Sequence, residues 1–468
     1  MNQAVKRDGS WADVLGEGRF PLFALICLGV WLNAADSLVT ATIMPSVGAA
    51  LGGYAYFGWA TAGFLLGSVM AGASSGLLAR RFGLRNATAA AALLYAAGCA
   101  LSAAAPEIVS FLAGRILQGL GGGWVAGFSS VAIGLLFPDR TLARVYAAIT
   151  SVWGIATLVG PLLGGVFADA GLWRWVFWVF AAQAVAVAAI AFRLLPKSDA
   201  GQAAGAIAWR QLALIGLGVA AIGYADVSGG VGLAAVLTAG GVAVLLATVR
   251  MDARAKVRLL PLGSGDLRTI PGAGYATMFL MTAASMGFSV YGPAVLQTLR
   301  GYSALFAGYV IALEALGWTA AALVVTHLTG LWPGRMIRLG SVVVLAGLGL
   351  CAAAFVRWPL PAVALAGLLL GAGFGLSWSF MSQRLLMALP EDERGIGAAA
   401  MTTVRLTGSA AGAAMAAVVA NLLGFAGGLS VPVAQTVGVW VFVAALPLAA
   451  AGVFTAWRLG ASEARDQS

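Results

Sequence analysis

The chain has 468 residues, of which 61% are hydrophobic and 9% charged. Soluble domains carry about 25% charged residues, so a water-soluble globule is excluded and lipid is the expected solvent. The formal charge of +10, from 27 Lys and Arg against 17 Asp and Glu, could suggest nucleic acid, but the placement of the charges argues for a membrane surface.

The first 19 residues mix Lys6, Arg7, Asp8, Asp13, Glu17 and Arg19 with Trp11, Val14 and Leu15, a pattern that suits a short interfacial helix. The apolar run that follows is too long for a signal h-region, so no cleavable signal is expected. Apolar runs then recur along the whole length. Spans are predicted at 21–47, 53–78, 86–105, 107–136, 141–168, 174–195, 209–226, 230–250, 271–297, 302–326, 335–356, 359–387, 395–424 and 433–457. The Gly-rich stretch 215–241 could also be read as one broken helix.

Placing the N-terminus in the cytoplasm puts 22 of the 27 basic residues in cytoplasmic segments. Only Arg174, Arg300 and Arg357 fall on the other side, while Arg115 and Arg405 lie within spans. That asymmetry fixes orientation and accounts for the basic balance through contact with anionic lipid. Both termini are then cytoplasmic, and a bacterial inner membrane is the expected location.

The longest polar loops lie near 196–208 and 251–269 and bracket the seventh and eighth spans. The expected organisation is a cytoplasmic segment 1–20, a six-helix bundle 21–195, a linker with an inserted helix pair 196–268, a second six-helix bundle 269–458 and a tail 459–468. A faint repeat agrees. Ala148-Ile149-Thr150-Ser151-Val152 is echoed by Ala400-Met401-Thr402-Thr403-Val404, Gly160 maps onto Gly412, and Gly53-Tyr54 matches Gly301-Tyr302. Repeated halves are the usual plan of secondary transporters.

The first span holds one carboxylate, Asp36, inside an apolar run from 22 to 47. A charge there costs about 2.5–3.5 kcal/mol on insertion scales, so it is read as a proton or ion site facing an internal cavity. The alternative is a neutral acid hydrogen-bonded to a neighbouring helix. In the fourth span, Gly114-Arg115-Ile116-Leu117-Gln118-Gly119 places a guanidinium in the same half of the bilayer as Asp36, so a pair is allowed. Such a pair could load and release a proton or be a static ion pair. The fifth span contains Gly154, Gly160, Pro161, Gly164 and Gly165, a kinked helix with a small-residue face.

Glu314 and Arg405 lie near mid-depth of the tenth and thirteenth spans. Glu314 is read as a second proton or substrate site in a cavity; the competing reading is a structural pair with Arg405. Trp31, Asn33, Gln118, Tyr291, Gln297, Trp318 and Arg405 are candidate cavity-lining residues. Asp226 and the run Glu391-Asp392-Glu393 are read as solvated acids, His327 as a solvated cap and Arg384 as a snorkelling cation. Cys27, Cys99 and Cys351 all fall in spans and are expected to be free. With one His, a His/Cys metal site is not expected.

These motifs together resemble the major facilitator superfamily, in its fourteen-helix drug:proton antiporter type. Arg115 through Gly119 is similar to the family's Arg motif, Gly154 through Gly165 to its antiporter motif, and 32–45 to its first-helix motif with Asp36 at the acidic position. Trp173-Arg174-Trp175-Val176-Phe177 resembles the opening of helix six. Gly76-Leu77-Leu78-Ala79-Arg80-Arg81-Phe82-Gly83-Leu84-Arg85 resembles the loop motif, including Gly83 and Arg85, but carries Arg80 where the family has an acid that latches the cytoplasmic side.

The resemblance implies an all-helical major facilitator fold and proton-coupled export of lipophilic or cationic small molecules by alternating access. It also implies coupling through Asp36 and Arg115. No cofactor beyond the proton gradient, no catalysis and no nucleic-acid partner are expected. The partners are small substrates, protons and lipid, and the chain is expected to work as a monomer. The rivals are an exporter or flippase of lipids or of one metabolite, and a polytopic membrane enzyme.

Overall fold

A computed structural model describes residues 11–16, 18–138, 141–197, 206–225, 227 and 230–461. Asp226 and the two chain ends beyond these bounds lie outside the described residues. The described chain is helical: α1 Trp11–Leu15, α2 Phe20–Leu51, α3 Trp59–Phe82, α4 Leu84–Ala104, α5 Ile108–Leu136, α6 Leu142–Asp169, α7 Trp173–Leu194, α8 Trp209–Ala225, α9 Val231–Asp252, α10 Ile270–Arg300, α11 Ala304–Val325, α12 Trp332–Arg357, α13 Leu360–Met387, α14 Arg394–Leu422 and α15 Val431–Ala461. Among the described residues, thirteen helices are long and apolar enough to cross a bilayer, and α8 is a shorter apolar helix of 17 residues. At 1.5 Å per residue α8 spans about 25 Å, the lower limit for crossing. The stretch 215–241 is two helices, α8 and α9, not one broken helix.

Local chemistry sets the helix ends. Pro21, Pro271 and Pro333 sit in first turns, where a missing N–H costs nothing. Thr269 and Ser303 accept from the backbone N–H of Gly272 and Phe306 and so cap α10 and α11. Gly83 turns the chain between α3 and α4 at φ +77°, a conformation that disfavours any Cβ.

Helices α2 to α7 pack on one another, as do α10 to α15. In each group a small-residue face lets the first helix meet the fifth. Gly160 lies against Leu38 of α2, and Gly412 lies against the backbone of Ala283 of α10, so the repeat seen in the sequence recurs in the packing. The two groups meet along two seams, α3 with α14 and α6 with α11. The pair α8–α9 covers the first: Val219 and Ile222 pack with Ala410, Ala411 and Ala414, and Trp59 donates to the Gly223 carbonyl at 3.1 Å. The α6–α11 seam has no such cover among the described residues.

Two acids hold the loop between α9 and α10. Asp252, 1% exposed, accepts from the N–H groups of Leu259 and Leu260 and from the Gln211 amide. Glu393 pairs with Arg258 at 2.7 Å and accepts from the Leu262 N–H. Glu393 is therefore buried at a loop contact, which corrects its reading as a solvated helix start; Glu391 of the same run is exposed. His327 is exposed just beyond α11, and the three cysteines are free.

Candidate functional site

With α2 to α15, the short α8 included, alternating in direction, the end of α15 lies on the same side as the start of α2; that side is the near end here. A cavity of about 1340 Å³ lies between the two helix groups. Its mouth at the near end is lined by Gly76, Arg80, Ile207, Arg258 and Gly395. Its interior takes Asn33 and Ser37 from α2, Ser68 from α3, Glu314 and Trp318 from α11, and Thr402 and Arg405 from α14. Lining positions 395, 398, 402, 405 and 409 recur every three or four residues, the signature of one helix face.

The far end is shut by contacts across the halves. Phe57, Tyr291 and Phe425 form a cluster with ring centroids 5.1–5.5 Å apart. Asn421 donates to the Ala55 carbonyl at 2.8 Å. Asp169, the last residue of α6, accepts from the Ala304 N–H at 2.8 Å and from the Leu305 N–H at 3.4 Å. A carboxylate there satisfies two orphan donors at the start of α11 and faces its positive end. Beside it, Gly165 lies directly on the Leu305 backbone, and Gly308 lies on Thr42 and Pro161.

Asp36 and Arg115 meet as the depth argument allowed. One guanidinium nitrogen of Arg115 donates to both carboxylate oxygens, at 2.8 and 2.9 Å. Arg115 Nε donates to the Ala60 carbonyl, and the guanidinium lies 4.6 Å over the Phe64 ring. Gln118 accepts from Arg115 and donates to the Gly98 carbonyl and the Ser102 hydroxyl. Thr40 reaches Asp36 at 3.4 Å. The placement corrects one expectation: Asp36 does not face the cavity but is 0% exposed, and Arg115 is 1% exposed. The Arg115 guanidinium, held in turn by Gln118, and the Thr40 hydroxyl crowd the acid, which is left with no exposed surface.

The other candidates divide. Asn33, Glu314, Trp318 and Arg405 line the cavity. Gln118 does not; it is 0% exposed inside the Asp36–Arg115 network. Tyr291 does not; it belongs to the far seal, where Gln297 also bonds across to the Thr42 carbonyl. Trp31 packs against the hydrophobic core. Gly160 and Gly164 face α2, and Gly165 and Pro161 face α11, whereas nothing stands near a Cβ added at Gly154. Arg85 lies 4.6 Å over the Phe192 ring. Among the described residues no ion pair joins Glu314 to Arg405, so the structural-pair reading fails. Glu314 instead accepts from Ser289 at 3.2 Å. Sequence reasoning missed Asp169 and Asp252, because an acid at a helix end carries no sign in the sequence of what it caps.

A polytopic two-lobed helical bundle with a central cavity open at one end defines a membrane carrier. Residues 26–413 match the Major Facilitator Superfamily, and the chain belongs to that family. It is 31% identical over 480 residues to a probable multidrug-efflux transporter of Mycobacterium tuberculosis strain H37Rv, covering 98% of each chain. It is 24% identical over 414 residues to a multidrug transporter protein of Bacillus subtilis, covering 85% of this chain and 74% of that one. Among solved structures it resembles a D-xylose–proton symporter, with a TM-score of 0.62 and 19% identity over 92% of this chain and 97% of that one. It also resembles a bacterial homologue of the lysosomal transporter Spinster, with a TM-score of 0.64 and 13% identity over 96% and 99%. At these identities the structures establish the fold alone.

Proposed function

We propose that the chain is a proton-coupled exporter of lipophilic or cationic small molecules that works by alternating access. The observation that carries the reading is the cavity itself, which is open at the near end, sealed at the far end by Asp169 and the aromatic cluster, and built from both halves. Release on the far side requires only that the seal part while the mouth closes. The sequence resemblance to multidrug-efflux relatives supports the substrate class. The charge asymmetry of the loops supports a cytoplasmic near end and an inner-membrane location.

In this reading Glu314 takes up and releases the proton, because it lines the cavity and is bonded only to a neutral hydroxyl. Trp318, one turn away, stacks on Phe374 at 5.1 Å and offers an aromatic face to a lipophilic cation. A protonated Glu314 and a bound cation compete for the same carboxylate, which couples the two fluxes. Asp36–Arg115 ties α2 to α5 and joins the exchange only if those helices part.

The test is accumulation of ethidium in everted membrane vesicles energised by an inwardly acidic pH gradient. Wild-type protein is expected to accumulate the dye and to lose it when the gradient is collapsed with nigericin. Accumulation that persists without a proton gradient overturns the coupling.

A further inference from the structure

We infer that the cavity is a two-pole site and that Arg405 is its anion-binding pole, so that amphipaths carrying a carboxylate or phosphate bind as well as cations. The inference rests on the reading of the cavity as the transport site and names a second substrate class for it. Four arginines line the cavity: Arg80, Arg115, Arg258 and Arg405. Arg115 is neutralised by Asp36 and Arg258 by Glu393. Arg80 stands at the exposed mouth. Arg405 alone of the four is at mid-depth with no carboxylate on it among the described residues.

Counted along the helices, Arg405 is eleven residues from the near end of α14 and Glu314 eleven from the near end of α11. Both therefore lie about 16 Å deep. Arg405 shares the lining face of α14 with Thr402 and Ser409, and Glu314 shares that of α11 with Trp318. These opposite charges line one cavity at one depth and form no ion pair with each other. A guanidinium held at mid-membrane without a counter-charge is costly, and its planar fork matches carboxylate or phosphate oxygens. No carboxylate among the described residues completes it, and the anion proposed to do so is a soluble amphipath or a lipid headgroup.

The experiment is equilibrium binding, read by intrinsic tryptophan quenching on full-length protein in phosphatidylcholine nanodiscs with no gradient. Three probes share one ring system: 1-naphthaleneacetate, its neutral amide and 1-naphthylethylammonium. Arg405→Gln is expected to weaken the carboxylate about tenfold or more and to leave the amide unchanged, with Arg405→Lys restoring part of the loss. Glu314→Gln is expected to weaken only the ammonium. Doping the discs with phosphatidylglycerol separates the sources. Competition with the carboxylate shows that a headgroup reaches Arg405, and absence of competition shows that the site takes soluble anions only; both support the pole. Equal loss of all three probes in Arg405→Gln, or no loss of the carboxylate, overturns it. Because no gradient is applied, a failure of proton coupling leaves this result readable.

Discussion

Arg115 holds Asp36 through one nitrogen at 2.8 and 2.9 Å, with the acid fully buried and the guanidinium only 1% exposed at the cavity wall. Removing one partner strands a buried charge, a cost of about 3–5 kcal/mol. Arg115→Met is expected to lower thermal stability in detergent, measured by loss of monodisperse protein on heating. The double variant Asp36→Asn, Arg115→Gln is expected to be more stable than Arg115→Met. A double variant no more stable than Arg115→Met would show that the pair is not coupled.

The far seal depends on Asp169 bonding the start of α11. A charge-assisted bond contributes about 1.5–3 kcal/mol, so Asp169→Ala is expected to shift the population toward an open far end by about tenfold or more. A cysteine placed at Leu305 in a background lacking the three native cysteines reports this through labelling by a membrane-impermeant maleimide. Labelling is expected to speed up in Asp169→Ala. An unchanged rate would show that the aromatic cluster closes the seal by itself.

The small-residue positions of α6 are expected to differ sharply. Gly165 lies directly on the Leu305 backbone, so a Cβ there forces the helices apart, whereas Gly154 has no neighbour within 4 Å. Gly165→Ala is expected to abolish or strongly reduce transport with normal insertion, and Gly154→Ala to leave it near wild type. Equal effects in the vesicle assay would refute a packing role for Gly165.

Asp252 gathers three donors from the loop that follows α9 and from α8. Asp252→Ala leaves the Leu259 and Leu260 N–H groups unsatisfied at about 1–3 kcal/mol each, while Gln211 keeps the Val257 carbonyl. The expected result is faster protease cleavage between 253 and 269 with the helices intact. Protection equal to wild type would mean that the Arg258–Glu393 pair suffices to hold the loop.

The helices were legible because hydrophobic length is a direct physical demand of the bilayer. Predicted spans at 107–136 and 209–226 became Ile108–Leu136 and Trp209–Ala225. Depth counting brought Asp36 to Arg115, since both lie on helices of known direction. It did not show which way each side chain turns. Asp36 therefore proved sealed, and Glu314 and Arg405, also at one depth, remained apart. Rotation about a helix axis depends on which neighbour it packs against, and the weak amphipathicity of helices surrounded by lipid and by other helices hides it. The same limit placed Tyr291 in the cavity when it belongs to the far seal. Acids such as Asp169, Asp252 and Glu393 act on backbone N–H groups far along the chain, and no local pattern announces such a contact.

In the proposed mechanism one carboxylate, Glu314, exchanges a proton for substrate. It is tested most directly by adding substrate to proteoliposomes loaded with the pH dye pyranine and measuring the proton flux that substrate movement drives. Wild-type protein is expected to move protons opposite to ethidium, and Glu314→Gln is expected to carry the dye with no proton signal or not at all. A proton flux of wild-type size in Glu314→Gln would show that Glu314 does not carry the exchanged proton.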